Sequence, residues 1–298
     1  MTLSPQEIAC RDLPRERFER EVVAGCRPVV LRGLIAGWPV VQAAVDSPAR
    51  LQEYLSAFDA RIPVEAYFGS PAIAGKYYYG PDLKGFNLGR RTMRMLAALE
   101  LMVESLGRPD APSIYVGSVP TAEALPGFAG GNPMPLLAPG VGPRIWLGTR
   151  SNVSCHHDTF DNIACVIAGR RRFTLFAPEL IGKLYVGPID NTMAGAPVSL
   201  AASADGAEES RFPLFEEIRA QAIRVELEAG DALYLPKLWW HKVESLAPLN
   251  GLVNYWWDAF SAGPDAPYTS MLLAMIAIAE RPLAERQAWK AFFEHYVF

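Results

Sequence analysis

From Ser113 to Asp258 the chain alternates short runs of β-branched and aromatic residues with Gly, Pro, Asp and Asn. The runs SIYVGSV, RIWLGT, NIACVIA, RRFTLFAP, AIRVELEAG, DALYLPK, WWHKVESL and LVNYWWD each have the length and composition of a strand. Many short strands with such punctuation predict a sandwich, jelly roll or barrel. Ahead of them, PRERFEREVVA reads as a short charged helix and RPVVLRGL as a strand. The stretch WPVVQAAVDSPARLQEYLSAF is helical in its second half, starting at Ser47-Pro48, and RIPVEAYFG returns to strand character. Residues 91–106 place Met95, Leu96, Leu99 and Met102 at helical spacing, which predicts an amphipathic helix on the core. The Gly/Pro-rich stretch from Pro120 to Pro143 is too long for a hairpin turn and is expected as a loop near a site mouth; residues 189–215 form a second insert. After Gly263-Pro264 the pattern is helical again, with a break at Pro282. The expected organisation is one domain over residues 1–298: a helical N-terminal region to about 110, a β core of about 111–260 and a helical tail of about 264–298.

Bulk properties narrow the classes. The chain has 298 residues, 50% of them apolar, enough for a large core. A net charge of −4 and the lack of a Lys/Arg block argue against nucleic-acid binding. Cys10, Cys26, Cys155 and Cys165 are irregularly spaced and form no C-x-x-C pair, so no disulfide framework is expected. The first residues, MTLSPQEIACRDLPRERFER, lack the apolar stretch of a signal peptide, and no window is apolar enough to span a membrane. A reduced, cytoplasmic setting is the expectation.

Histidine usage is more specific. There are four histidines, and His156, His157 and His241 fall in two strand-like segments. His156 and Asp158 are two residues apart, so on an extended strand they offer an imidazole and a carboxylate from one face. In WWHKVESL, Trp239, His241 and Val243 share a face, and Trp240, Lys242 and Glu244 share the other. Solvation of the charged pair turns His241 inward. Two histidines and a carboxylate form the facial triad of non-haem Fe(II) oxygenases, which leaves coordination positions open. The same donors also suit zinc, and a histidine beside two tryptophans can be a plain core residue. His157 points away from His156, toward an outer-shell or surface position.

An oxygenase that uses a 2-oxo acid also needs a buried cation for the distal carboxylate. After a tight turn at Gly169, Arg171, Phe173 and Leu175 share one face, which selects Arg171 as the inward arginine; Arg170 and Arg172 are read as solvated.

These segments resemble the cupin-like branch of the JmjC oxygenases. The matching pieces are RPVVLRGLIAGWPV, NVSCHHDTFDNIACVIAGRRRFTLFAPE, KLYVGP, GDALYLPKLWWHKVESL and LVNYWW, spanning most of residues 28–260. The resemblance implies a mainly β fold with flanking helices, a double-stranded β-helix or jelly roll. It implies an Fe(II)- and 2-oxoglutarate-dependent dioxygenase that uses O₂ to hydroxylate a peptide or protein side chain or a small metabolite. On it, His156, Asp158 and His241 correspond to iron ligands, and Arg171 stands where the family usually has a lysine for the distal carboxylate. Tyr115 matches a tyrosine sharing that carboxylate, Asn162 and Asn254 match asparagines of the co-substrate pocket, and Ser154 is the candidate counterpart of a threonine. Rival readings are a zinc or manganese cupin acting as isomerase or hydrolase, a silent sensor or binding module, and an iron dioxygenase with no keto-acid requirement. The acceptor is not legible, and KYYYG (Lys76–Gly80) is read as core ahead of a substrate channel. The tail offers Met271, Leu272, Met275, Ile276 and Ile278, then Trp289, Phe292, Phe293, Tyr296 and Phe298. This apolar surface, and the way related hydroxylases pair, lead to the expectation of a twofold homodimer through the C-terminal helices.

Overall fold

Every residue of NIACVIA is buried, which is why that run is apolar throughout instead of alternating. It lies at the centre of the computed structural model, which describes residues 5–10, 13–80, 83–192, 195–203, 210–261 and 266–298. The expected turn at Gly263-Pro264 and parts of the 189–215 insert lie outside the described residues. Two compact units are present, Met1–Trp257 and Asp258–Phe298, where the sequence reading takes residues 1–298 as one domain.

The first unit holds β1 (Gln6–Ala9), β2 (Val29–Arg32), β3 (Pro63–Gly69), β4 (Lys76–Tyr77), β5 (Leu88–Arg94), β6 (Ser113–Pro120), β7 (Pro143–His156), β8 (Asp161–Ala168), β9 (Arg170–Phe176), β10 (Ile223–Glu228), β11 (Ala232–Leu235) and β12 (Trp240–Trp257). Their hydrogen-bonded order is β1-β2-β11-β8-β12-β7-β6-β3-β5, with β10 on β9, β9 on β12 and β4 on β7. The helices are α1 (Arg15–Glu21), α2 (Pro39–Asp46), α3 (Pro48–Ser56), α4 (Met95–Glu104), α5 (Thr121–Ala124), α6 (Phe128–Gly131), α7 (Leu200–Ser203) and α8 (Pro213–Arg219). The second unit holds α9 (Pro267–Ile278) and α10 (Leu283–Tyr296). Among the described residues no helix is long and apolar enough to cross a membrane.

One strand closes the sheet on itself. WWHKVESL and LVNYWWD, which read as two strands, belong to the single 18-residue β12. Its first part, Trp240–Ser245, pairs with β9, and its last part, Gly251–Trp257, pairs with β8. Strand β7 follows β12 along both parts, with a register shift between Ser245 and Leu249 that lets the sheet bend. The folded-over sheet encloses Val30, Ala164, Val166, Phe173, Leu175, Leu227, Leu233, Leu235 and Val243. This is the jelly-roll arrangement expected for a cupin fold.

The region before residue 110 is less helical than expected. It contains β1 to β5, and these extend the sheet at both ends. Strand β5, LGRRTMR, escapes a pattern search because it is an edge strand with mostly exposed side chains. It takes residues 91–94, so the predicted helix begins only at Met95; Met95, Leu96, Leu99 and Met102 are buried as expected. The first half of the WPVV segment is helical too, with Pro39 opening α2, and Ser47 caps α3 by accepting from Arg50 N at 3.1 Å. The stretch from Pro120 to Pro143, expected as a loop, is partly helical. It holds α5 and α6 and packs on α2 and α3: Trp38 Nε1 donates to Pro133 O at 2.9 Å, Asn132 Oδ1 accepts from Val40 N at 3.2 Å, and Asn132 Nδ2 donates to Tyr54 OH at 2.9 Å.

The turn from β8 to β9 depends on Gly169. Its φ is +71°, and a Cβ there would lie 2.5 Å from Leu249 O and 2.6 Å from Asn250 Oδ1. Gly169→Ala combines left-handed strain with a backbone clash and should lower unfolding stability by about 1–3 kcal/mol. Urea unfolding checks this, and an unchanged midpoint would show that the turn relaxes freely.

Candidate metal centre

His156 ends β7 and His241 lies at the start of β12, and the two are direct Cα partners across the antiparallel pair. Their rings sit 4.3 Å apart. Asp158 follows two residues beyond β7, and its carbonyl accepts from Leu238 N at 2.8 Å, which ties this loop to the segment entering β12. One ligand atom from each of His156, Asp158 and His241 lies within 4.8 Å of the others.

Both imidazoles are oriented through the nitrogen that faces away from the centre. His156 Nδ1 lies 2.8 Å from Ser154 O, and His241 Nδ1 lies 3.0 Å from Trp239 O. A proton on each Nδ1 satisfies these carbonyls and leaves the Nε2 lone pair for a ligand. Burial, then the neighbouring His156, pushes His241 down to about 4, so it is neutral near pH 7 and has no proton to surrender on coordination.

Asp158 is held from behind. Its Oδ2 accepts from Trp256 Nε1 at 3.2 Å and from Asn162 Nδ2 at 3.5 Å, and lies 3.8 Å from His241 Nε2. Asn254 Nδ2 donates to Asn162 Oδ1 at 3.2 Å, and Trp146 Nε1 donates to Asn254 Oδ1 at 2.6 Å. A chain of side-chain amides and indoles on β7, β8 and β12 thus sets the carboxylate.

Ser154 is placed differently from its expected role. His241 pairs with His156 but Val243 pairs with Val153, so three residues of β7 span two of β12. This bulge breaks the simple alternation. It sends Val153 to the cavity, while the buried Ser154 hydroxyl donates to Tyr77 O at 2.7 Å and does not line the site. His157 is buried against Trp240, with ring centroids 4.8 Å apart, instead of at the surface. Trp240 was expected on the solvent face with Lys242 and Glu244. It packs with Cys155, Phe176 and Phe215 under α7 and α8, and only the two charged residues stay partly exposed.

Arg171 is 3% exposed. Its Nε and Nη2 have no hydrogen-bond partner, and burial pushes the guanidinium below its usual range. Its polar neighbour is the Tyr115 hydroxyl, itself pushed up to about 12 by burial against the opposing pull of Arg171. Arg172 is turned outward, 2.6 Å from Glu226, and Arg170 approaches the same carboxylate at 3.8 Å. A buried guanidinium whose hydrogen bonding is incomplete is costly unless an anion completes it.

The triad, Arg171, Tyr115, Asn162 and Asn254 all line one cavity of about 250 Å³, together with Tyr67, Tyr77, Trp146, Ser118 and Trp256. A larger open cleft of about 370 Å³ beside α4 is lined by none of the ligand residues. Of the cavity aromatics, Tyr67, Trp146 and Trp256 escape the sequence reading. Trp256 is two residues from Asn254 and so shares its face, which is the one signal that points to it. Tyr77, read as core within KYYYG, is both buried and part of the cavity wall.

Two imidazoles and a carboxylate, open to a cavity inside a jelly roll, define a cupin with a candidate metal centre. The family follows from comparison with known proteins: the cupin-like domain family matches residues 14–263, and the chain belongs to it. Lysine-specific demethylase JMJ30 of Arabidopsis thaliana is 27% identical over 273 residues, covering 84% of this chain and 57% of that protein. Jumonji C domain-containing protein 5 of Drosophila melanogaster is 25% identical over 258 residues, covering 82% and 57%. HSPB1-associated protein 1 of Homo sapiens is 31% identical over 152 residues, covering 49% and 30%. The chain therefore spans 30–57% of the length of these relatives.

Removing any ligand should cost more metal affinity than removing a partner behind it. Trp256→Phe is expected to weaken Fe(II) binding roughly 10- to 100-fold. His156→Ala, Asp158→Ala and His241→Ala should each exceed that loss, and His157→Ala should retain the metal. Anaerobic Fe(II) titration decides; metal loss confined to His157→Ala would mean the wrong histidine is assigned.

Proposed function

We propose that the chain is an Fe(II)- and 2-oxoglutarate-dependent oxygenase that hydroxylates a C–H bond of a peptide or protein side chain or a small metabolite. The observation that carries this reading is the buried, half-satisfied Arg171 in the same cavity as the triad. None of the rival readings (a zinc or manganese isomerase or hydrolase, or an iron dioxygenase without a keto acid) requires that cation in its mechanism, whereas a 2-oxo acid co-substrate does.

When bound, Fe(II) with 2-oxoglutarate and O₂ supplies oxidative decarboxylation coupled to oxygen insertion at the acceptor carbon. The chain's own work is positional. His156, Asp158 and His241 would hold the ion by three protein ligands, leaving positions for the co-substrate. Arg171 places a guanidinium in the cavity wall, where it can pair with a carboxylate, and Tyr115 adds a hydroxyl. Trp256 and Asn162 keep Asp158 from rotating. Tyr67, Tyr77 and Trp146 wall the cavity and limit water. No side chain is asked to act as a catalytic acid or base. The demethylase named among the relatives fits this reaction class, since oxidation of an N-methyl C–H bond starts such a removal.

The test is anaerobic addition of Fe(II) and 2-oxoglutarate, read by the metal-to-ligand charge-transfer band. Arg171→Ala should weaken 2-oxoglutarate binding roughly 10- to 100-fold, with Fe(II) affinity nearly intact. Arg170→Ala should change neither, and equal losses in both variants would reduce Arg171 to a general charge effect. Absence of the band in the wild-type protein would rule out the reading.

We also propose that the second unit pairs two copies of the chain. Neither α9 nor α10 has a buried residue, and Ile276 is 80% exposed and Phe292 57%. Helix α9 is apolar on all sides, a pattern found in helices that are covered. A twofold dimer is the commonest way for one surface to cover itself. Light scattering should find a dimer, converted to monomer by Ile276→Asp with Phe292→Asp; a monomeric wild-type protein at micromolar concentration would refute it.

A further inference from the structure

The cavity has a second polar end, on the strand that carries Tyr115. Strands β6 and β7 pair at Val116 with Leu147 and again at Val119 with Ile145, so three residues of β6 span two of β7. Gly117 and Ser118 form the resulting bulge. Only glycine fits at 117, because a Cβ would lie 2.8 Å from the Trp146 ring. Ser118 adopts φ +55°, in the left-handed region that a residue with a Cβ disfavours. Arg144 holds it there: Nε donates to Ser118 Oγ and Nη2 donates to Ser118 O, each at 2.7 Å. The same guanidinium lies 5.7 Å from the Trp256 ring, and Trp256 in turn donates to Asp158.

Three independent features mark this place as ligand-facing. Ser118 and Trp256 both line the metal cavity. Arg144 is half-buried, and among the described residues it has no carboxylate within ion-pair distance, whereas Arg170 and Arg172 share Glu226. The Ser118 oxygen already accepts from Arg144, so its O–H is free to donate, and no acceptor for it lies among the described residues. Backbone strain that a fold retains at a cavity wall is a feature of binding sites.

We propose that Ser118, with the Arg144 guanidinium behind it, forms an acceptor subsite that binds a carboxylate of the molecule to be oxidised. The inference rests on the oxygenase reading and adds the substrate class to it. Ser118 lies three residues beyond Tyr115, roughly 7–10 Å along the strand, so the Arg171 corner and this subsite can each hold an anion. In an open cavity of about 250 Å³ shared with the co-substrate, a carboxylate on a short carbon chain fits beside it. A small free acid and an aspartyl or glutamyl side chain offer the same group.

The experiment uses the full chain with Fe(II) and 2-oxoglutarate under anaerobic conditions, with calorimetry and the charge-transfer band as readouts. The probes are N-acetyl-aspartate amide and N-acetyl-glutamate amide, their asparagine and glutamine counterparts, and the free acids propionate and butyrate. Acidic probes are expected to bind and perturb the band, and the neutral amides to bind about tenfold or more weakly. Ser118→Gly, which relieves the backbone strain and keeps the fold, should weaken acidic probes about tenfold, and Arg144→Gln should weaken them further. Equal binding of acids and amides overturns the proposal. So does full-strength binding in both variants, or no probe binding while the band is intact. Loss of the band itself counts against the oxygenase reading instead. Preference for the blocked residues or for the free acids identifies the source of the carboxylate.

Discussion

The antiparallel pairing of β7 with β12 is the constraint on which the site depends. It sets His156 opposite His241, and the same two strands supply Trp146, Asn254 and Trp256 to the support of Asp158. Because β12 changes partners from β9 to β8 along its length, it also brings Arg171 on β9 and Asn162 on β8 to one cavity. A shift of one residue in this register would turn His241 toward the Trp240 cluster and dismantle the centre.

Electrostatics inside the cavity follow from what the fold leaves unpaired. Arginines on the outer faces share carboxylates with neighbours, as Arg172 does with Glu226, and such exposed pairs contribute little. Arg171 is different because it is removed from water without a counter-charge. Its desolvation disfavours the charged state of the empty cavity and is offset when an anion arrives. An affinity for anions is in this way built into the fold as an imbalance of charge.

Much of this was legible along the chain. His156 with Asp158, and the inward turn of His241, followed from strand parity and from the charges beside them. Arg171 followed from the apolar face it shares with Phe173 and Leu175. Bulges were not legible: Ser154, which the resemblance offered as the counterpart of a threonine, is pointed to the Tyr77 carbonyl by the extra residue in β7. The bulge in β6 that turns Ser118 into the cavity is invisible for the same reason, since nothing local marks an inserted residue. Edge strand β5 was missed because its exposed side chains carry no alternation, and α2 because Trp-Pro-Val-Val reads equally as a strand or a first helical turn.

Strand alternation at the end of β7 also decides which donors the centre lacks. Cys155 is the residue before His156, yet it is fully buried on the far side among Phe176, Phe215 and Trp240. Burial raises its thiol well above the ordinary range, so it stays protonated. The centre therefore offers only nitrogen and oxygen donors, and a soft ion such as copper(I) finds no thiolate there to favour it over iron. An oxidisable sulfur next in sequence to a candidate ligand is kept behind the strand, away from the cavity.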